Sequence, residues 1–379
     1  MASLNLASKF STKVDERFTR ESFAQLVLGN AYEFNGVETV KVYSIPTVAM
    51  TDYNRNGGNT RYGTANNLAR NVQTMTVTKD RAFTFTIDKG DKLQSQMVMD
   101  AGRALSRQTS EVIIPEFDTY AFHKLAEAAQ EVGNIGTTAA TKSNAYELFL
   151  AANEKLSDNN VPEAGRIALC SYNYANLLKQ DPAFSKQAES SQKMVHTGII
   201  GEIDGVKIVK VPSSRLPAGC AFILTHPSAA VGPKQLNTYR IHQDPPGISG
   251  WLVEGRQIYD VFVLNEKKRA VYFHGAQAIL RSMLIQTSAS NVGKSTIIIA
   301  SPAQKSKDTN KWYYQTAATA EALAAVKHGT AISTDAWTLM ADPSAEITPT
   351  SGHKFVRVVE VDSTNKPVSV GDALLNIGA

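Results

Sequence analysis

The chain holds only two cysteines in 379 residues, Cys170 and Cys220. Two thiols cannot build a disulfide scaffold or a four-cysteine zinc site. Set in apolar runs, they read as buried, inert thiols. Net charge is also scarce: 39 Lys and Arg against 35 Asp and Glu leave +4. A chain devoted to gripping nucleic acid concentrates far more positive charge on one face. Long apolar runs are missing, and aliphatic stretches such as residues 297–300 are far too short to cross a bilayer. Residues 1–10 show no basic start followed by an apolar run, so no secretory signal is visible. There is no G-x-S-x-G nucleophile turn and no H-E-x-x-H helix.

What remains is 43% hydrophobic and 20% charged residues, the balance of a globular chain. The length allows about two to three domains. The expected product is soluble and intracellular, with no membrane partner.

Along the chain, residues 1–36 are a mixed-charge leader with a thin apolar face at Phe23, Leu26 and Val27. Such a segment needs a neighbour to pack on and reads as an arm. Residues 37–45 alternate apolar with polar, as do residues 72–78 and 82–87, so each reads as a half-buried strand. Between them, residues 50–71 are rich in Asn, Gly and Arg and poor in large apolar groups. Residues 37–90 are therefore read as one long β-hairpin with a polar tip, marginal in isolation and in need of a docking surface.

Residues 91–132, within the stretch 91–142, read as a long helix. One stripe runs through Leu93, Met97, Ala101 and Leu105, and another through Phe117, Ala121, Leu125 and Ala128. Pro115 predicts a kink or break near residues 112–114, and Gly133 a helix stop. Residues 143–250 read as a compact α/β region, with Ser143 as an N-cap and Asp204-Gly205 as a tight turn. Residues 251–276 read as strand–turn–strand with Glu266-Lys-Lys-Arg as the solvated turn. Residues 277–379 show short β-runs between turn residues, the pattern of a small β-sandwich, reached through a linker at residues 288–293.

Few patterns carry chemistry. Residues 291–296 resemble the end of a phosphate-binding loop, but Ser288 stands where the motif needs glycine and a strand-like run follows. His242, Asp244 and His274 could mimic a two-His-one-carboxylate iron or zinc triad, though Asp244 runs into two prolines. Glu116 and Asp118 flank the expected kink and suit a helix N-terminus. Catalytic, cofactor and metal residues are assigned to none. Arg55, Arg61 and Arg70 at the hairpin tip, with Arg17 and Arg20 in the leader, are candidate inter-subunit contacts.

The order of parts, together with Val14-Asp-Glu-Arg-Phe, Val112-Ile-Ile-Pro-Glu-Phe-Asp-Thr-Tyr and Gly250-Trp-Leu-Val-Glu-Gly-Arg-Gln-Ile-Tyr-Asp-Val-Phe-Val-Leu, resembles the major capsid proteins of tailed bacteriophages. The fold implied is α+β, Hong Kong ninety-seven-like. It comprises an N-terminal arm (1–36), an extension loop (37–90), a spine helix with peripheral domain (91–142), an axial domain (143–250) and returning peripheral strands (251–276). An appended β domain (277–379) departs from the minimal plan. The resemblance implies a structural protein without enzyme activity. It would assemble as pentamers and hexamers in an icosahedral shell around double-stranded DNA, in the host cytoplasm and then in the virion. Its implied partners are portal and scaffolding proteins and non-specifically packaged DNA. An encapsulin-like nanocompartment shell shares the fold and is the alternative; a non-haem metal enzyme is the third reading.

Overall fold

The computed structural model describes residues 22–29, 39–45, 47–56, 61–63, 71–90, 101–181, 199–301, 305–328 and 330–377. Arg17, Arg20, Arg70, Leu93 and Met97 lie outside the described residues.

The centre is a six-stranded mixed sheet. Its spatial order is Ile135–Gly136, Val271–Gly275, Cys220–Thr225, Ile167–Ser171, Val206–Val211, Ile199–Ile203. Side chains of successive strand residues point to opposite faces, and here both faces are covered. Leu169, Val209, Val211, Ile223, Val271 and Phe273 share one core with the helix Ile114–Glu131. Ala168, Cys170, Ile208, Phe222 and Leu224 face the helices Ala145–Asp158 and Tyr172–Gln180. Double coverage explains why the strand Cys220–Thr225 reads as a near-continuous apolar run.

The predicted stripe Phe117, Ala121, Leu125 and Ala128 is buried along Ile114–Glu131, the spine helix. Pro115 does not break the helical course. A π-helical turn, Thr109–Ile113, joins the helix Ala101–Gln108 to the spine, and the Ile114 N–H reaches back to the Thr109 carbonyl. A proline has no N–H and crowds the carbonyl four residues earlier; an added residue in the preceding turn absorbs both defects. The spine stops as expected: Gly133 takes φ +72°, its N–H meets the Gln130 carbonyl, and the Asn134 N–H meets that of Ala129. In the next helix Asn144, one residue later than Ser143, holds the N-cap position without a side-chain capping bond, and Asp181 accepts from the Tyr146 N–H (3.0 Å) in its first turn. Asp204 and Gly205 both take positive φ and turn Ile199–Ile203 into Val206–Val211, as their sequence predicts.

Two pairings differ from expectation. The run after the hairpin tip is two strands, because the chain turns at Val77 and Thr78. Asn71–Thr76 pairs with Thr39–Ser44, whereas Lys79–Asp88 pairs with Gly250–Tyr259 in a three-stranded sheet completed by Lys234–Gln243. The expected strand pair over 251–274 is likewise divided. Gly250–Tyr259 lies in that three-stranded sheet, and Val271–Gly275 enters the six-stranded one. The turn between them, Asn265–Ala270, is exposed at Glu266, Lys267 and Arg269, as read. Alternation reports which face is buried; it does not encode the partner strand.

Residues 281–374 form two sheets around a shared core that includes Ile285, Ile297, Trp312, Ile347 and Val358. This is the sandwich pattern. Residues 288–293 are no linker: Leu284–Ala289 and Ser295–Ser301 form a hairpin, and residues 290–294 are its turn.

Buried carboxylates join these parts to the spine. Asp118 is fully buried. It accepts from Ser22 Oγ (2.6 Å), the Phe23 and Ala24 N–H groups (3.1 Å each) and Arg215 (2.7 Å). Ala24 and Val27 then pack in the core beside Phe117, while Leu26, expected inside, is exposed. Asp260 accepts from the Thr78 N–H and hydroxyl (2.9 Å each) and from Tyr120 Oη (2.6 Å). Burial and this carboxylate push the Tyr120 phenol upward. Glu127 accepts from Lys124 (2.9 Å) and from Ser282 N (2.5 Å) and hydroxyl, with His123 at 3.2 Å. Burial alone would raise its pKa; bonds from His123 and Ser282 and the Lys124 charge outweigh that and hold it at about 2.

Two outcomes follow for stability. Asp118→Ala leaves Arg215 and two backbone donors buried without the carboxylate they meet, and is expected to cost about 3–5 kcal/mol; urea unfolding at neutral pH checks it. Glu127 is depressed below its ordinary value of 4.5. Its contribution is therefore complete above about pH 4.5 and lost as pH falls toward about 2, roughly 3 kcal/mol in all. Urea midpoints at pH 6 and pH 2.5 should diverge more for the native chain than for Glu127→Gln; equal divergence would contradict the assignment.

Candidate assembly interface

The hairpin Thr39–Ser44/Asn71–Thr76 is an isolated two-stranded sheet in register from Thr39↔Thr76 to Ser44↔Asn71. One face is anchored to its own chain. Val40, Val42, Met75 and Val77 pack with Leu264, Ile258 and Phe262. Gln73 adds two polar ties, donating to the Val263 carbonyl (3.0 Å) and accepting from the Asn265 N–H (2.9 Å). Ser44 donates to Glu266 at 3.3 Å. The paired strands thus rest on the chain's own 258–266 segment, which fixes the direction in which the tip leaves.

Beyond Ser44 the described residues lose that support. Ile45 is 73% exposed, Val48 67%, Met50 100% and Tyr62 86%. The described tip residues nonetheless contact one another. The Asn54 N–H meets the Arg61 carbonyl at 3.0 Å, and the Tyr53 and Tyr62 rings meet edge to face with centroids 5.1 Å apart. Water-exposed apolar side chains on a pre-shaped turn are the chemistry of an interface anchor. The polar reading of the tip overlooked these side chains. Their signal is residue type, Met and Tyr kept inside an Asn- and Gly-rich stretch, and it has no period to detect.

Of the five arginines singled out from sequence, Arg55 and Arg61 are described, and both are exposed at this tip. Neither forms an ion pair among the described residues. They are brought together with Tyr53 and Tyr62, available to an acidic surface. Glu116, read as a helix-terminal charge, does lie in the first turn of the spine helix, and there it also takes Arg81 (2.7 Å) and the Tyr259 hydroxyl (3.1 Å), tying the three-stranded sheet to the spine.

The alternative chemistries are not assembled. His242 and Asp244 sit at the exposed end of the strand Lys234–Gln243, with Glu254 (3.4 Å) and Lys89 (2.5 Å) as respective partners. His274 is buried in the six-stranded sheet, stacked on Phe222 with centroids 5.0 Å apart and bonded to the Thr138 carbonyl at 2.8 Å. Burial lowers its pKa. Among the described residues no three His, Cys, Asp or Glu side chains are grouped to hold a metal ion. The loop-like motif at residues 291–296 is a hairpin turn whose Lys294 pairs with Glu346 (2.7 Å). Cys170 is fully buried and Cys220 half-buried, and burial pushes both thiols up. No described helix is long and apolar enough to cross a membrane.

No family model matches this chain, and no curated protein matches it in sequence. Solved structures do. That of Mycobacterium phage Che8 superposes with a TM-score of 0.59 at 20% identity, over 72% of this chain and 98% of that one. The capsid structure of cyanophage P-SCSP1u gives 0.56 at 14%, over 72% and 93%. The capsid asymmetric unit of cyanophage Pam1 gives 0.54 at 14%, over 73% and 98%. With its spine helix, doubly covered sheet and projecting hairpin, this chain has the major-capsid fold of tailed bacteriophages, as the spine and returning-strand motifs implied; the arm motif, residues 14–18, lies outside the described residues.

Proposed function

We propose that this chain is a structural shell subunit: a major capsid protein that assembles with copies of itself into an icosahedral shell around the double-stranded DNA of a tailed bacteriophage. The observation that carries the reading is the hairpin. Its strands are fixed to the body, while Met50, Tyr53 and Tyr62 beyond them stand exposed to water. A monomer gains nothing from that exposure; a closed array of copies buries it at every interface. The modest charge agrees, since a lining that releases DNA cannot hold many phosphates tightly. Residues 143–250 are assigned to the axial domain around the five-fold and six-fold axes. Residues 91–142 and 251–276 go to the peripheral domain, and 277–379 to a decoration on the outer surface. Portal and scaffolding proteins are the partners of assembly in the host cytoplasm.

The test is deletion of residues 47–63. The body's cores contain none of these residues, so the variant should unfold as the native chain does. It should sediment as a monomer or small oligomer where the native chain gives closed particles in electron micrographs. Normal particles from the deletion would contradict the reading. Particles holding a cargo enzyme rather than DNA would move it to a nanocompartment shell. Removal of residues 285–379 is expected to leave closure intact; open or absent shells would place that module among the shell contacts.

A further inference from the structure

A strap across the C-terminal module holds a conformation that its own residues disfavour. Residues 318–328 contain five alanines in eleven positions and no glycine or proline. Thr319 suits a helix N-cap and Glu321 the first turn. Leu323 and Val326 would share one face, Lys327 and His328 would close the last turn, and a glycine follows. By propensity and by these signals residues 320–328 should be a helix. In the fold they are not. One turn closes from the Leu323 N–H to the Ala320 carbonyl (3.3 Å), and the chain then continues without helical bonds. Ala324 and Val326 are half-buried and Ala325 and Lys327 exposed, an alternation of period two.

A clamp holds this form. Gln315, Arg357 and Asp372 stand side by side on three neighbouring strands of the five-stranded sheet, Lys311–Ala317, Phe355–Val361 and Pro367–Leu374. Gln315 Oε1 accepts from the Ala324 N–H (2.8 Å), and Arg357 donates to the Ala324 carbonyl (2.8 Å). Asp372 fixes the guanidinium through two bonds of 2.6 Å. A helix over residues 320–328 would spend the same two backbone groups of Ala324 on the Ala320 carbonyl and the His328 N–H. Clamp and helix therefore exclude each other. Beneath the strap, Ala324, Val326 and Ile332 cover Tyr313, Trp337, Val359 and Val361, a small core separate from the one between the two sheets.

We infer that residues 318–328 are a strap with two forms: clamped on the sheet, or released as a helix that leaves Tyr313, Val359 and Val361 without their cover. A segment whose propensity opposes its fold is where a structure keeps a second state close in energy. Two further features keep that gap small. Released as a helix, the strap regains backbone bonds within itself instead of giving them all to water. Of its large side chains Leu323 is buried and Val326 half-buried, so little apolar area holds it down. A helix this short is itself marginal in water, which leaves the clamped form as the ground state. The module thus has a covered and an open form, and this holds whether or not the chain builds a shell.

The experiment introduces Glu321→Cys with Ala325→Cys, both at exposed positions, in the full chain. Dichloroacetone then bridges the two thiols where they lie one helical turn apart. Mass spectrometry reads the bridged fraction over residues 318–328. With the clamp intact, little bridging is expected. Arg357→Lys keeps a cation beside Asp372 but has no fork to reach the Ala324 carbonyl as well. It should raise the bridging rate about tenfold, the effect of losing roughly 1.4 kcal/mol. Gln315→Ala removes the other half of the clamp and should act in the same direction, which covers the case of Arg357→Lys failing to fold. Adding Ala322→Gly, at an exposed position outside the clamp, should take back about fivefold by weakening the helix. Bridging that neither clamp variant changes would overturn the inference. So would a rise that Ala322→Gly leaves untouched, since a merely loosened strap has no helix to weaken.

Discussion

Asp118 is the joint on which the architecture turns. One carboxylate without solvent contact holds Ser22 and two backbone N–H groups of the arm, and pairs with Arg215, which follows the strand Val206–Val211. In a low-dielectric interior such a group is costly unless every acceptor position is used, and it then specifies a single arrangement. The spine helix repeats the device. Its Tyr120 meets Asp260, which captures the chain where hairpin becomes sheet, and its Glu127 captures Ser282, where the C-terminal module begins. Arm, hairpin, sheet and module are thus referenced to one helix.

A frame fixed this way gives the hairpin a direction. Apolar packing at its base and the Gln73 bonds hold the strands on residues 258–266, so the tip cannot settle on whichever part of its own surface is nearest. The exposed Met50 and Tyr62 are then a consequence of rigidity, and in the proposed shell other copies would bury them. This division suits a shell. Its stability comes from many modest contacts repeated around closed axes rather than from one strong site. The shifted pKa values of Tyr120 and Glu127 belong to two of these joints, and His242, Asp244 and His274 are not brought together: His242 and His274 lie in two different sheets.

Much of this was legible in the sequence because it is local. The stripe from Phe117 to Ala128, the stop at Gly133, the Asp204-Gly205 turn and the alternation of residues 39–44 each report on neighbours a few positions away. The spine and returning-strand motifs carried the fold. What escaped was non-local. Nothing in the composition of residues 72–87 says that the chain changes partners at Thr78, since that turn is held by Asp260, 182 positions on. Asp118 read as an ordinary helix-terminal charge, and Glu127 was not singled out, because their partners Arg215 and Ser282 are distant in sequence. The tip read as polar because three large side chains among many small polar ones form no pattern.

The most direct measurement is an electron cryomicroscopy reconstruction of the purified full-length product. The account predicts a closed shell in which every hairpin crosses onto an adjacent subunit, with Met50, Tyr53 and Tyr62 covered by that neighbour. A particle or monomer in which residues 47–63 lie against their own chain, or remain bare in water, would contradict it.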